Sequence, residues 1–225
     1  MRRLAEDLFQ LHGLPPNAIN VYLLDDVLID AGTRWAQRRI LRQLRGRPVS
    51  AHVLTHAHPD HQGASHAVCE VLGVPLWCSE PEREAVQAGA ISGNRPRGAS
   101  ERLVAGLATR LALGRAHPVA RTLGEGDEVA GFSVLETPGH APGHISLWRE
   151  RDRVLIVGDV LTNMSLSTGI PGLHEPPAVL SHDPPRNRES ARRLAALHPR
   201  LACFGHGPPL RDPDRLTAFA AVLPR

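Results

Sequence analysis

The chain has no lysine: all 26 of its lysine-or-arginine positions are arginine. Aromatic residues are sparse at 4%, with Tyr22 the single tyrosine, and there are only three cysteines. Cys69, Cys78 and Cys203 are an odd number, widely spaced, and form no C-x-x-C pair. That argues against a disulfide framework and a thiolate metal site, and makes a reducing cytoplasm the expected location. No apolar run approaches the ~20 residues that span a bilayer, so no membrane association is expected. The N-terminal Met-Arg-Arg-Leu-Ala-Glu-Asp-Leu has no apolar stretch behind its arginines and does not read as an export signal. No G-x-S-x-G turn occurs, which excludes the usual strand-to-helix serine nucleophile.

What is present is ordinary for a globular enzyme: 225 residues, 42% apolar and 22% charged. One domain over residues 1–225 is expected. The net charge is +3 and the pI is near 9.2, a basic balance that nucleic-acid binders share. The arginines cluster only at Arg34, Arg38, Arg39, Arg42, Arg45 and Arg47. There they alternate with Trp35, Ile40, Leu41 and Leu44, which reads as the solvated face of an amphipathic helix.

Local signals alternate between strands and helices. Val21–Leu24 and Val27–Asp30 flank Asp25-Asp26 as a hairpin, and Thr33 opens a helix that Gly46 and Pro48 end. Val49–Leu54 reads as a buried strand that delivers Thr55-His56 into a loop. Asp60 suits the N-cap of a helix burying Val68, Val71 and Leu72. Pro75–Cys78 reads as a strand, and Ser79-Glu80-Pro81-Glu82 as a capping box. Residues 89–99 read as a loop and 100–113 as a helix. Strands follow at 128–129, 132–136, 145–148 and 154–157. Met164–Pro185, rich in Gly and Pro, reads as a structureless lid, followed by a helix at 189–197, a strand at 201–204 and a closing helix at 212–222. The order suggests two similar halves.

Chemistry concentrates at His56-Ala57-His58-Pro59-Asp60-His61. In an extended loop, side chains two apart point the same way, so His56 and His58 can share one ion. Asp60 and His61, at the turn into the helix, can face a second. Imidazole and carboxylate suit zinc, and also iron or manganese. Four donors do not close two sites. The chain offers three more, each just past a strand and beside a glycine: His140 in Thr137-Pro138-Gly139-His140, Asp159 in Gly158-Asp159, and His206 in Gly205-His206-Gly207.

With Ile29-Asp30-Ala31-Gly32 added, these motifs resemble, in order and over nearly the whole chain, the metallo-β-lactamase fold superfamily and especially its glyoxalase II-like hydrolases. The resemblance implies an α/β fold of α+β character, a four-layer αββα sandwich. It implies that His56, His58 and His140 bind one metal and that Asp60, His61 and His206 bind another. Asp159 would bridge both, Asp60 would orient the attacking hydroxide, and Asp30 would steady the histidine loop from behind. His144 reads as a supporting hydrogen-bond partner rather than a ligand. His174 and His182, in the lid, are candidate substrate contacts, while His52, His66 and His117 read as surface or internally satisfied histidines.

The function expected is hydrolysis of a small ester, thioester or lactone by a dinuclear centre, zinc first, with iron or manganese as substitutes. Asp159 argues against a true β-lactamase, and with 19 residues after His206, where glyoxalase II carries a glutathione-binding domain, a glutathione thioester is not the expected substrate. Two other readings stay open: a nucleic-acid phosphodiesterase, and an iron-dependent oxidoreductase like the persulfide dioxygenases. The expected partner is a small molecule, with nucleic acid not expected; the oligomeric state is not legible.

Overall fold

The computed structural model describes residues 1–93 and 114–224; the loop and helix expected across 94–113 lie outside the described residues. Two compact units divide the chain, one of residues 1–11 and 21–122, the other of 12–20 and 123–225. Each is a mixed α/β layer in which helices cover a sheet.

The first unit is built on a seven-stranded sheet in chain order: β1 (Arg2–Arg3), β2 (Leu8–Gln10), β3 (Tyr22–Leu24), β4 (Val27–Ile29), β5 (Ala51–Val53), β6 (Leu76–Ser79) and β7 (Val119–Leu123). β3 and β4 form the expected hairpin, with Leu24 opposite Val27. Asp25 takes the left-handed conformation at φ 51° that a two-residue connection demands. β4, β5 and β6 then run parallel, and their crossovers carry α1 (Gln37–Leu44), α2 (Pro59–Gln62) and α3 (Ser65–Leu72). Ile40 and Leu44 of α1 pack with Leu23, Leu28, Ala64 and Val68. On the other side Cys69, Leu76, Cys78 and Val86 of α4 (Arg83–Ala88) form a second cluster. Cys69 and Cys78 are free and buried, and burial pushes both thiols up to about 12, so they pack as small apolar groups.

Several local readings need correction. Trp35 and Val71, expected to face inward, are exposed, because α1 starts only at Gln37 and the inner face of α3 is carried by Val68 and Cys69. The helix after the histidine loop begins at Pro59 with His58 as the N-cap, so Asp60 lies inside its first turn.

His52, in β5, is fully buried. Its Nδ1–H donates to the Leu28 carbonyl at 3.1 Å and its Nε2 accepts from the Ser65 hydroxyl at 2.8 Å. Burial, outweighing the Leu28 carbonyl, lowers its pKa to about 4. The unfolded chain binds this proton more readily, so the contribution to stability is whole above about pH 6.5 and is lost as pH falls toward 4. The loss amounts to about 3 kcal/mol. Urea unfolding at pH 7 and pH 4.5 should show it, and a His52→Gln variant that loses as much stability over that interval would exclude His52 as the cause.

The second unit holds a five-stranded sheet, ordered β14 (Leu201–Phe204), β11 (Val154–Gly158), β10 (Ile145–Arg149), β9 (Phe132–Glu136) and β8 (Glu128–Val129). The pairs are antiparallel except β11 with β14, which is parallel. A core of Leu155, Val157, Phe204, Leu194 and Leu216 joins the sheet to α5 (Pro184–Ala195) and α6 (Pro213–Ala221). The expected lid is not structureless. Residues 162–174 form a two-stranded ribbon, β12 (Thr162–Met164) with β13 (Pro171–His174), and a 3-10 turn follows at Ala178–Leu180. α5 starts five residues before the expected Glu189, because Asp183 caps it, accepting from the Arg186 amide. Pro184 and Pro185 take the first helical positions, where a missing N–H costs nothing.

Candidate metal centre

In the first unit the parallel pairing of β4 with β5 sets Asp30 beside Thr55, and the Asp30 amide donates to the Val53 carbonyl at 2.9 Å. Asp30 Oδ1 accepts from the Thr55 amide at 2.9 Å, and Oδ2 accepts from the Thr55 hydroxyl at 2.9 Å and from His61 Nδ1–H at 2.8 Å. Having given its proton to Asp30, the Thr55 hydroxyl can only accept from His56 Nδ1–H, 3.0 Å away. One buried carboxylate thereby fixes the tautomer of two histidines. In each ring Nδ1 carries the proton and Nε2 keeps the lone pair that a cation needs. The His56 ring lies 4.4 Å from that of His58 and 4.1 Å from that of His61, centroid to centroid.

Sequence reasoning missed a second support of this loop. Glu82, expected to close a capping box with Ser79, is fully buried, and the helix start there has no side-chain cap. Its Oε2 accepts from the Ala57 amide, between His56 and His58, and its Oε1 from the Ser92 hydroxyl, both at 2.7 Å. The sequence offers only Glu82 itself, and helix-start chemistry explains a carboxylate three residues after Ser79 equally well.

In the second unit three turns bring His140, Asp159 and His206 together. Asp159 Oδ2 lies 3.1 Å from His206 Nε2 and 3.6 Å from His140 Nε2, and all three residues are buried. His206 Nδ1–H donates to the Ala18 carbonyl, again leaving Nε2 to face the carboxylate. The segment 12–20 clasps this turn: the Asn20 side chain donates to the Phe204 and Gly207 carbonyls at 2.8 Å each. Gly207 is required there, since at φ 95° a Cβ would fall 2.2 Å from the Asn163 backbone. Gly139, at φ 136°, meets the same limit against Asn187 of α5, whose backbone a Cβ would approach to 2.2 Å.

His144 is not placed to ligate, because both its nitrogens are engaged. The Asp159 amide donates to its Nε2 at 2.9 Å, so Nδ1 carries the proton and donates to Thr137 Oγ1 at 2.8 Å. Thr137 then reaches Ser146, whose hydroxyl donates to the Val157 carbonyl at 2.9 Å. This chain locks the backbone that presents Asp159. Asn187 adds a brace on the same turn, donating to the Val160 carbonyl at 2.8 Å. Of the two lid histidines, His182 abuts the site through its amide, which donates to the His140 carbonyl at 3.0 Å. His174 is exposed and pairs with Thr162 across the ribbon.

The donors in each unit fit a divalent transition metal. They are all imidazole nitrogen and carboxylate oxygen, and His56, His61 and His206 each present Nε2 through a second hydrogen bond on Nδ1. A family model described as the metallo-beta-lactamase superfamily matches residues 14–206. The chain belongs to the metallo-beta-lactamase superfamily. Superfamily members bind divalent metals, and the chain is a metal-dependent hydrolase of this group. It is 31% identical to the probable metallo-hydrolase YflN of Bacillus subtilis over 89% of this chain and 84% of that protein. Among solved superfamily structures, the metallo-beta-lactamase family protein TTHA1429 from Thermus thermophilus is 28% identical, with TM-score 0.68, over 97% of this chain and 80% of that one. TTHA1623, solved in a di-iron-bound form, is 28% identical with TM-score 0.61, over 92% of each chain. No helix among the described residues is long and apolar enough to cross a membrane.

Proposed function

We propose that His56, His58, Asp60 and His61 of the first unit and His140, Asp159 and His206 of the second serve one dinuclear centre, zinc first, that hydrolyses a small ester, thioester or lactone. The observation that carries this reading is the imposed tautomer: Asp30, Thr55 and the Ala18 carbonyl occupy Nδ1 of His61, His56 and His206, leaving Nε2 for metal. The superfamily match, which spans residues of both units, supports their joint use. When bound, a pair of divalent cations supplies a polarised scissile carbonyl and a hydroxide nucleophile near neutral pH.

The chain's own residues do the rest. The Asp60 carboxylate, the acidic group in the first turn of α2, orients the nucleophile and takes up its proton. Asp159, pinned by His144, holds its carboxylate against both neighbouring imidazoles. The segment 162–183 supplies the substrate wall. It begins at the His206 turn, where the Asn163 amide donates to the His206 carbonyl at 2.9 Å, and ends at His140 through His182. It exposes Ile170, Val179 and Leu180, apolar surface suited to the acyl part of a substrate. The three free, buried thiols support a reducing, cytoplasmic setting.

A panel of p-nitrophenyl esters of increasing chain length, acyl thioesters, lactones and bis-p-nitrophenyl phosphate, run alongside metal analysis, tests the reading. Turnover of the acyl compounds is expected; turnover of the phosphodiester alone would overturn it. Val179→Ser and Leu180→Ser should raise KM for the longer acyl chains roughly tenfold or more while metal content holds. Iron in place of zinc is the second reading, favoured by the di-iron form of TTHA1623, and metal analysis of protein grown without supplements separates the two.

A further inference from the structure

The first unit carries a second group of side chains with metal-ligand chemistry that none of the superfamily motifs uses. His66 and Glu70 stand one helical turn apart on α3, so both project from one face. His117 reaches the same place from the strand-free segment before β7, where its amide is held 3.4 Å from the Val86 carbonyl. The two imidazoles meet through Nδ1, 3.2 Å apart, and the Glu70 carboxylate lies 4.0 Å from His117 Nδ1. One donor atom from each of the three falls within 4.8 Å of the others.

The geometry points to a divalent transition-metal site formed by His66, Glu70 and His117, separate from the dinuclear centre and taking Zn2+ or a cation of similar chemistry. Two Nδ1 atoms this close can hold only one proton between them without placing like charges in contact. At least one lone pair therefore always faces the gap, with a carboxylate on the same side. Tetrahedral zinc, with bonds of about 2.0–2.1 Å, sets its donors about 3.3 Å apart. The histidine pair already has that spacing. Glu70 has to close on His117 by less than about 1 Å and come to the same spacing from His66, a rotamer adjustment open to a side chain that is 63% exposed. Burial, and then the neighbouring His66, hold His117 below the ordinary imidazole range while Glu70 pulls the other way.

Two nitrogens and one carboxylate suit zinc, with nickel and cobalt as chemical neighbours. Three protein donors leave a fourth position for water, and the half-exposed setting keeps it open to solvent. Bound metal would tie α3, which directly follows the ligand-bearing α2, to the start of β7. A cation that binds only the folded chain raises its melting temperature by mass action.

The test is to strip the full chain with chelator, reload it with zinc, and count metal per chain in the parent, in His66→Ala and in Glu70→Gln. Both replaced side chains lie at the partly exposed end of the group, so the fold should survive, as circular dichroism would check. Each variant is expected to hold one zinc fewer than the parent and to lose part of the zinc-dependent rise in melting temperature. Glu70→His, which keeps a donor one turn from His66, should restore both. Equal zinc content and an equal thermal shift in parent and folded variants would overturn the proposal and leave a plain histidine–histidine hydrogen bond. Because the readout is a difference between variants, it stands whatever the dinuclear centre holds. Loss of zinc in His58→Ala but not in His66→Ala would likewise count against the second site.

Discussion

Asp159→Ala is expected to purify with far less metal than the parent and to show no measurable hydrolysis. The carboxylate lies between two imidazoles, 3.1 Å from His206 Nε2 and 3.6 Å from His140 Nε2, and is nearly fully buried. Taking it away removes the negative charge that stabilises a divalent cation beside neutral histidines. It also leaves the second unit with two donors where a stable site needs more. The fall in affinity should exceed the roughly 10–100-fold that loss of an outer hydrogen-bond partner costs. Asp159→Asn is the sharper variant. It keeps the shape and the backbone bond to His144 Nε2 but not the charge, so it should fold like the parent and still lose metal. Unchanged metal loading by elemental analysis in either variant would remove Asp159 from the ligand set.

The ligand-bearing motifs were legible because each pairs a donor side chain with the local chemistry that presents it. Thr-Pro-Gly-His, Gly-Asp and Gly-His-Gly each end a strand with a glycine, and at Gly139 and Gly207 any Cβ would collide with a neighbouring backbone. The strands β10, β11 and β14 were legible because they are apolar along most of their length, as strands covered on both faces must be, and β9 because its apolar Phe132, Val134 and Leu135 are buried while Ser133 and Glu136 face out. What sequence could not give was non-local. The clasp of segment 12–20 on the His206 turn joins residues 187 apart in the case of Asn20 and Gly207, and no periodicity signals it. Glu82 fits a local capping pattern, yet its carboxylate serves Ala57, 25 residues away. The ribbon at 162–174 was hidden by its own composition, since strands as short as Thr162–Met164 and Pro171–His174, largely polar and with Pro and Gly in the second, have no apolar alternation to show. The early start of α5 was a different kind of miss. Asp183-Pro184-Pro185 is a readable helix start, but the two prolines weigh equally toward a loop.

The same contrast between local pattern and long-range support decides what Asp30 should do. Asp30→Ala is expected to weaken metal binding by roughly 10–100-fold and to destabilise the chain, at a cost of about 1–3 kcal/mol for each buried donor left without an acceptor. The carboxylate accepts from the Thr55 amide, the Thr55 hydroxyl and His61 Nδ1–H. Its loss strands three buried donors and frees Thr55 to turn its proton toward His56. Either histidine could then move its proton to Nε2, the nitrogen that should ligate. A merely structural role would lower stability and leave the tautomer alone. Nitrogen-15 shifts of the His56 and His61 rings in the metal-free protein separate the two: the parent should show Nδ1 protonated in both, and Asp30→Ala a mixture. Asp30→Asn retains one acceptor oxygen and should fall between parent and alanine in both stability and affinity. If Asp30→Ala keeps parental metal affinity and the Nδ1–H form in both rings, the backbone alone orients the loop and the carboxylate serves only the fold.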